Sequence, residues 1–247
     1  MTNTIGPVTP RRTALGGSLA AASAAPAMAQ PGAAGLVVLL VDSVFDNKAY
    51  VAGGPDVIAQ LRTRLPAGWR ATLAAVDGAV TTDVARQLGR VPHEATHLVV
   101  SVGGNDALRQ EPVLGEAARS VGEGLARLGA VTDRFRQDYR AMLAGIRARR
   151  LPTALCIIYD PRFPDALRRR LAILGLALFN DVIAREAFSH GLPLIDLRLV
   201  CSEDADFANS IEPSVAGGAK IAAAIAGFAA NLGDRSLRST VHGKGAG

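Results

Sequence analysis

Apolar and polar positions alternate between two kinds of segment along most of the chain. Leu36 to Val41 is an unbroken aliphatic run, the pattern of a strand buried on both faces. Shorter runs in Arg70 to Val76, His97 to Val102, Ala154 to Tyr159 and Leu192 to Leu197 predict four more strands. Between them, apolar residues at helical spacing predict helices at about Asp56–Leu65, Thr82–Leu88, Val131–Arg149, Ala166–Ser189 and Ser214–Asn231. Arg109 to Gly129 reads as a lid-like insertion before the third of these helices. Strand and helix in alternation argue for an α/β fold, a parallel sheet covered on both faces. No internal repeat is visible.

Composition supports that class. Hydrophobic residues make up 49% of the 247 positions and charged residues 20%, enough apolar surface for a substantial core and too much for a disordered chain. Aromatics are only 4%, which favours Ala-rich helices on aliphatic strands over a β-sandwich. The formal net charge is +5. Its arginines, such as Arg147, Arg149, Arg150 and Arg168 to Arg170, lie along predicted helices without interleaved aromatics. They read as solvated helix faces, and nucleic acid is not expected as a partner.

Residues 1–29 differ from the rest. Arg11-Arg12 precede a weakly apolar Ala/Gly-rich run, and Ala27-Met28-Ala29 has the small-x-small form of a cleavage site. The pattern is that of a twin-arginine export signal, with a disordered Ala-rich tail as the alternative, and it implies a periplasmic or secreted protein. Removing the segment takes away two arginines and no acids, leaving 25 − 22 = +3. The folded domain is expected over 30–232 and a polar, glycine-rich tail over 233–247. No other segment reaches the length of a membrane span, Leu171 to Phe179 being too short. Export would permit a Cys156–Cys201 disulfide, but two separate buried thiols fit the sequence equally. Oligomeric state is not legible.

In parallel α/β sheets ligands bind beyond the carboxyl ends of the strands. Here those positions hold Asp42-Ser43-Val44-Phe45-Asp46-Asn47, Asp77-Gly78, Gly103-Gly104-Asn105-Asp106 and Tyr159-Asp160-Pro161. Ser43 follows a buried strand and opens a turn, which suits an exposed nucleophile; a helix-capping serine is the bland alternative. The Asn105 amide is a neutral donor suited to an oxyanion hole, and Gly78 offers an unobstructed backbone N–H. Each alone is also an ordinary turn former.

Together these residues resemble the SGNH/GDSL family of serine esterases. Val41-Asp42-Ser43-Val44 resembles its first block, with valine where the family usually has glycine. Gly78 falls where the second block has its glycine, and Gly103-Gly104-Asn105-Asp106 matches the third. The resemblance spans roughly Leu36 to Ala229. It implies a three-layer α/β/α sandwich around a five-stranded parallel, flavodoxin-like sheet. It also implies ester hydrolysis, with Ser43 as nucleophile and an oxyanion hole made by the Ser43 and Gly78 amides and Asn105. Their neighbours Asp42, Asp46, Gly104, Asp106 and Pro213 become candidate substrate-binding residues. No cofactor or metal is implied, and no His/Cys/carboxylate grouping has metal-ligand spacing. Gly103-Gly104 also lacks the further glycine of a dinucleotide fingerprint.

The last block departs from the family. Where Asp-x-x-His followed by Pro is usual, the chain reads Asn209-Ser210-Ile211-Glu212-Pro213. His93, His97, His190 and His242 all lie elsewhere. A glutamate is the weaker base by roughly 3 kcal/mol, part of which burial can recover. It becomes neutral on accepting a proton, so an Asn209 donating to it could replace the usual aspartate. The expectation is a Ser43–Glu212 pair with Asn209 as orienter, acting on an ester of a small molecule or glycan. Asp204 and Asp206 are alternative bases, and Asp160 and Asp196 are placed to line the cleft. Two alternatives stay open: a non-catalytic module binding a cell-envelope glycan or lipid, and a structural protein keeping only the fold.

Overall fold

β1 (Leu36–Val41) sits inside a five-stranded sheet with β2 (Arg70–Leu73), β3 (His97–Ser101), β4 (Thr153–Ile157) and β5 (Leu194–Asp196). The order is β2-β1-β3-β4-β5, and every adjacent pair is parallel. The computed structural model describes residues 1–2 and 34–230. Nearly all of the expected leader and the whole tail over 233–247 lie outside the described residues.

Alternate residues of each strand supply two separate cores, which is why the central strands are apolar throughout. Leu36, Val38, Leu40, Leu98 and Val100 pack under α2 (Val84–Leu88), α4 (Val121–Ala148) and α5 (Ala166–Ser189). Val37, Leu39, Val99 and Cys156 pack under α1 (Val57–Arg64), α6 (Leu197–Val200) and α7 (Val215–Ala230). The result is the three-layer α/β/α sandwich anticipated from the alternation.

Two boundaries differ from the sequence reading by three residues or more. β2 ends at Leu73 because the Ala74 and Ala75 N–H groups both donate to the Leu39 carbonyl, at 2.9 and 3.0 Å, breaking the ladder. α4 begins at Val121, ten residues before the expected start. Ser120 Oγ accepts from the Glu123 N–H at 3.1 Å, and the Glu123 carboxylate accepts from the Arg119 N–H at 2.9 Å. This N-terminal cap sets the start of the helix. Arg109–Gly129 is therefore the end of α3 (Gly104–Gln110), a 3-10 turn over Glu111–Gly115 and the first turns of α4, in place of an irregular insertion.

Val41 closes β1 at φ +114°, a region that β-branched residues rarely adopt. Its carbonyl accepts from Gln87 Nε2 at 2.8 Å and from the Val76 N–H at 2.9 Å, and its side chain is fully buried. These contacts hold a conformation that costs on the order of 1–3 kcal/mol. Deleting a buried valine side chain at a relaxed position costs on the order of 3 kcal/mol. Val41→Gly is therefore expected to change the urea-unfolding free energy by no more than about 1 kcal/mol, because relief of strain offsets the lost packing.

Cys156, on β4, and Cys201, after α6, are both buried free thiols. No helix among the described residues is long and apolar enough to cross a membrane.

Candidate active site

The strained end of β1 throws the chain into a tight turn. The Phe45 and Asp46 N–H groups both donate to the Asp42 carbonyl at 3.1 Å, and the Val44 N–H donates to Asp42 Oδ1 at 3.2 Å. Ser43 stands at the head of this turn, at the carboxyl edge of the sheet, and its amide has no backbone acceptor among the described residues. Its hydroxyl donates to Glu212 Oε1 at 3.0 Å across a sequence separation of 169 residues. Both side chains are buried.

Glu212 is delivered by a closed loop. Phe207 and Pro213 form an antiparallel bridge, and the Ala208 N–H donates to the Glu212 carbonyl at 2.8 Å. Asn209 shapes the loop in a different way from the one expected. Its Oδ1 accepts from the Ile211 and Glu212 N–H groups, each at 2.9 Å. Asn209 thus fixes the backbone that carries the carboxylate, and no bond from its amide to Glu212 is formed. Short polar side chains that bond the backbone ahead of them are effective turn formers.

Two residues pin the loop to the Ser43 turn. Asn47, fully buried, donates through Nδ2 to the Pro213 carbonyl at 3.1 Å and accepts from the Val57 N–H at 3.0 Å. It both holds the loop and begins α1. Tyr159 donates its hydroxyl to the Ile211 carbonyl at 2.5 Å. Tyr159 and Gln87 play parts that the sequence did not single out. A polar tip on an otherwise apolar strand end, in Ile157-Ile158-Tyr159, was the available signal for the first.

Burial raises the Glu212 carboxyl from the ordinary 4.5 to about 7; the Ser43 hydrogen bond opposes the rise and the Asp77 charge adds to it. Oε2 of Glu212 is buried without a hydrogen-bond partner among the described residues. Burial also pushes the Asp42 carboxyl well up, with the Glu212 and Asp106 charges adding to the effect. A carboxylate poised near neutrality, bonded to a hydroxyl, can act as a general base at that pH.

The other expected residues are distributed as follows. Asn105 lies in the first turn of α3, after Gly103 at φ +113°, and its Nδ2 donates to the Ala79 carbonyl at 3.0 Å. One amide proton is engaged there and the second stays available. Gly78, at φ +76°, occupies the exposed turn next to Ala79 and does not line the cavity. Asp42 and Gly104 line the cavity, whereas Asp46, Asp106 and Pro213 have structural tasks. Asp46 accepts from the Asp77 N–H at 3.0 Å, and Asp106 accepts from the Thr81 N–H at 3.1 Å.

The alternative acids are occupied elsewhere. Asp206 pairs with Lys220 at 2.8 Å, Asp204 with Arg162 at 3.0 Å and Asp196 with Arg198 at 2.5 Å; none of the three acids lines the cavity, nor does Asp160. His97 opens β3 at the far edge of the sheet and packs at a tilt against Trp69, with ring centroids 4.9 Å apart. His93 lies just before β3, and His190 just before β5, at that same far edge. His242 lies outside the described residues.

The cavity at Ser43 measures about 110 Å³. Asp42, Ser43, Asn105 and Glu212 stand on its wall beside aliphatic and aromatic side chains of α3, α4 and α5. Among the described residues no cluster of His, Cys, Asp and Glu has the arrangement of a metal site.

The profile of the GDSL-like lipase/acylhydrolase family matches residues 14–220. Among solved structures, an extracellular lipase from Streptomyces rimosus is 20% identical, with a TM-score of 0.56 over 75% of this chain and 95% of that one. A phospholipase A1 from Streptomyces albidoflavus is 20% identical, with a TM-score of 0.58 over 78% and 98% of the two chains. A psychrotrophic esterase from Pseudoalteromonas sp. is 14% identical, with a TM-score of 0.55 over 80% and 97%. No curated protein sequence matches the chain. At these identities the likeness to solved structures concerns the fold.

Proposed function

The chain belongs to the GDSL-like lipase/acylhydrolase family, a family of ester hydrolases, and we propose that it works through an acyl-serine intermediate with Glu212 as its base. The observation that carries this reading is the buried Ser43 Oγ–Glu212 Oε1 hydrogen bond of 3.0 Å. Ser43 Oγ attacks the ester carbonyl carbon while its proton passes to Glu212. The carbonyl π pair moves onto oxygen, giving a tetrahedral oxyanion. Collapse re-forms the carbonyl and breaks the bond to the alkoxy oxygen, which takes the proton from neutral Glu212 and leaves as the alcohol. Water then attacks the acyl-serine, again losing a proton to Glu212. Collapse of the second intermediate returns that proton to Ser43 and releases the acid.

The oxyanion is held by the Ser43 amide and the free amide proton of Asn105. The Asn105–Ala79 bond orients the asparagine for this task, and Gly78, on its exposed turn off the cavity wall, is left out of the hole. A neutral Glu212 needs no carboxylate behind it, and Asn209 acts as its positioning residue through the backbone. Arg11-Arg12 and Ala27-Met28-Ala29 support export by the twin-arginine route to the periplasm or medium.

A fluorophosphonate serine probe tests the reading. Labelling of the parent chain at Ser43, with none in Ser43→Ala and with hydrolysis of p-nitrophenyl butyrate lost in the same variant, is the expected result. A parent chain that neither labels nor hydrolyses would make the site a binding module.

A further inference from the structure

We infer that the cavity beside Ser43 is an acyl-chain site for the carboxylic-acid part of a medium- or long-chain ester, and that Gly175 on α5 sets its depth. The inference rests on the acyl-serine reading above and narrows it to lipid-like esters over acetylated sugars. Away from the polar group at Ser43 the walls are largely apolar, with Gln110, Glu111 and Thr132 as exceptions; the apolar part is formed by Leu108 on α3, Leu128 and Val131 on α4, and Phe163, Leu176 and Phe179 on and before α5. Such walls offer a sugar few hydrogen-bond partners and suit a hydrocarbon chain.

Gly175 is the independent sign that the space is kept open. It lies mid-way along a 24-residue helix, where glycine is unfavourable relative to alanine. It lines the cavity, and a Cβ placed on it would meet nothing within 4 Å. No packing constraint therefore requires glycine there, and a larger side chain has open space beside the cavity to enter. Ala172, three residues earlier on the same helix face, also lines the cavity.

The far wall is fixed in place. Glu111, on the cavity wall, binds Arg168 at the start of α5 through two bonds of 2.5 and 2.9 Å. The Arg168 guanidinium in turn covers the Phe163 ring at 3.9 Å. The segment after α3 is thereby tied to the start of α5. The acid half of the ester stays bound to Ser43 between the two steps while the alcohol must depart, so the walled cavity suits the acid half.

The test compares kcat/KM for p-nitrophenyl acetate, butyrate, octanoate and decanoate. The parent chain is expected to prefer octanoate to acetate. In Gly175→Leu the octanoate-to-acetate ratio is expected to fall at least about tenfold, since each methylene kept from an apolar site is worth about fourfold. Gly175→Ala, which favours the helix, should give a smaller fall in the same direction. Gly227→Leu, on α7 where a Cβ also meets open space, should leave the ratio unchanged. A ratio in Gly175→Leu within twofold of the parent would overturn the inference. So would a stronger response to Gly175→Leu along a series of alkyl acetates, which vary the alcohol.

Binding of cis-parinaric acid, read by fluorescence on the parent and on Gly175→Leu, separates this inference from the reading beneath it. Binding to the parent that is lost in the variant supports the acyl site even if no ester is hydrolysed. No binding to the parent overturns the acyl site even if hydrolysis proceeds.

Discussion

Glu212→Gln is expected to lower kcat/KM for p-nitrophenyl butyrate by about a thousandfold, the usual worth of a positioned general base with its local electrostatics. Glutamine keeps the shape and the acceptor that the Ser43 hydroxyl uses at 3.0 Å, but it cannot take the proton. Ser43→Ala removes the proposed nucleophile, and the double variant should be no worse than the worse single one if the two residues act as a unit. In the parent chain kcat/KM should rise with pH around a midpoint of about 7, as Glu212 loses its proton. That limb should vanish in Glu212→Gln.

The same shift has a sign for stability. Between the ordinary 4.5 and about 7, folded Glu212 holds a proton that the unfolded chain has released. The folded state binds more protons in that window, so stability falls as pH rises through it. Glu212→Gln removes this loss and should unfold at higher urea than the parent above pH 7, by on the order of 3 kcal/mol, with the gap closing toward pH 4.5. A variant that loses activity while gaining stability at alkaline pH would mark Glu212 as a group held in place for chemistry.

Gly217→Ala should cost about 3 kcal/mol or more and most of the activity besides, measured by urea unfolding and ester hydrolysis. Gly217 lies in the first turn of α7, where the Ser214 hydroxyl caps it at 3.2 Å, and a Cβ there would overlap the Asp206 carbonyl oxygen. That oxygen accepts from the Ser214 N–H at 2.8 Å, so the stretch from Asp206 to Ser214 is stapled across the start of the helix. Glu212 sits on the stapled stretch. Either α7 or the loop must move to admit a methyl group, and both movements take the carboxylate away from Ser43. Gly227→Ala, further along the same helix in open space, should instead gain about 0.5–1 kcal/mol.

The strands were legible because they are buried on both faces. Leu36–Val41 needs apolar residues at every position, so its ends coincide with the ends of the run. The start of α4 was less so, since Gly122, Gly124 and Gly129 interrupt its helical spacing; the Ser120-x-x-Glu123 signature was there to be read. At the site, the Ser43–Glu212 contact spans most of the domain, and only the family pattern made it visible beforehand. The part of Asn209 was misjudged because its type fits both a donor to the carboxylate and a turn former, and only geometry separates them. Gly175 was silent in sequence. Its significance lies in the empty space beside it, which depends on where three helices come to rest.

Cys156 and Cys201 carry a consequence for where the chain can fold. Both thiols are interior, and neither is joined to a partner. Burial pushes the Cys201 thiol up to about 12 and the Cys156 thiol higher still, so neither presents the thiolate that disulfide exchange needs. The native state therefore draws nothing from an oxidising compartment. Oxidoreductases that shuffle cysteines find no exposed thiol in the finished fold.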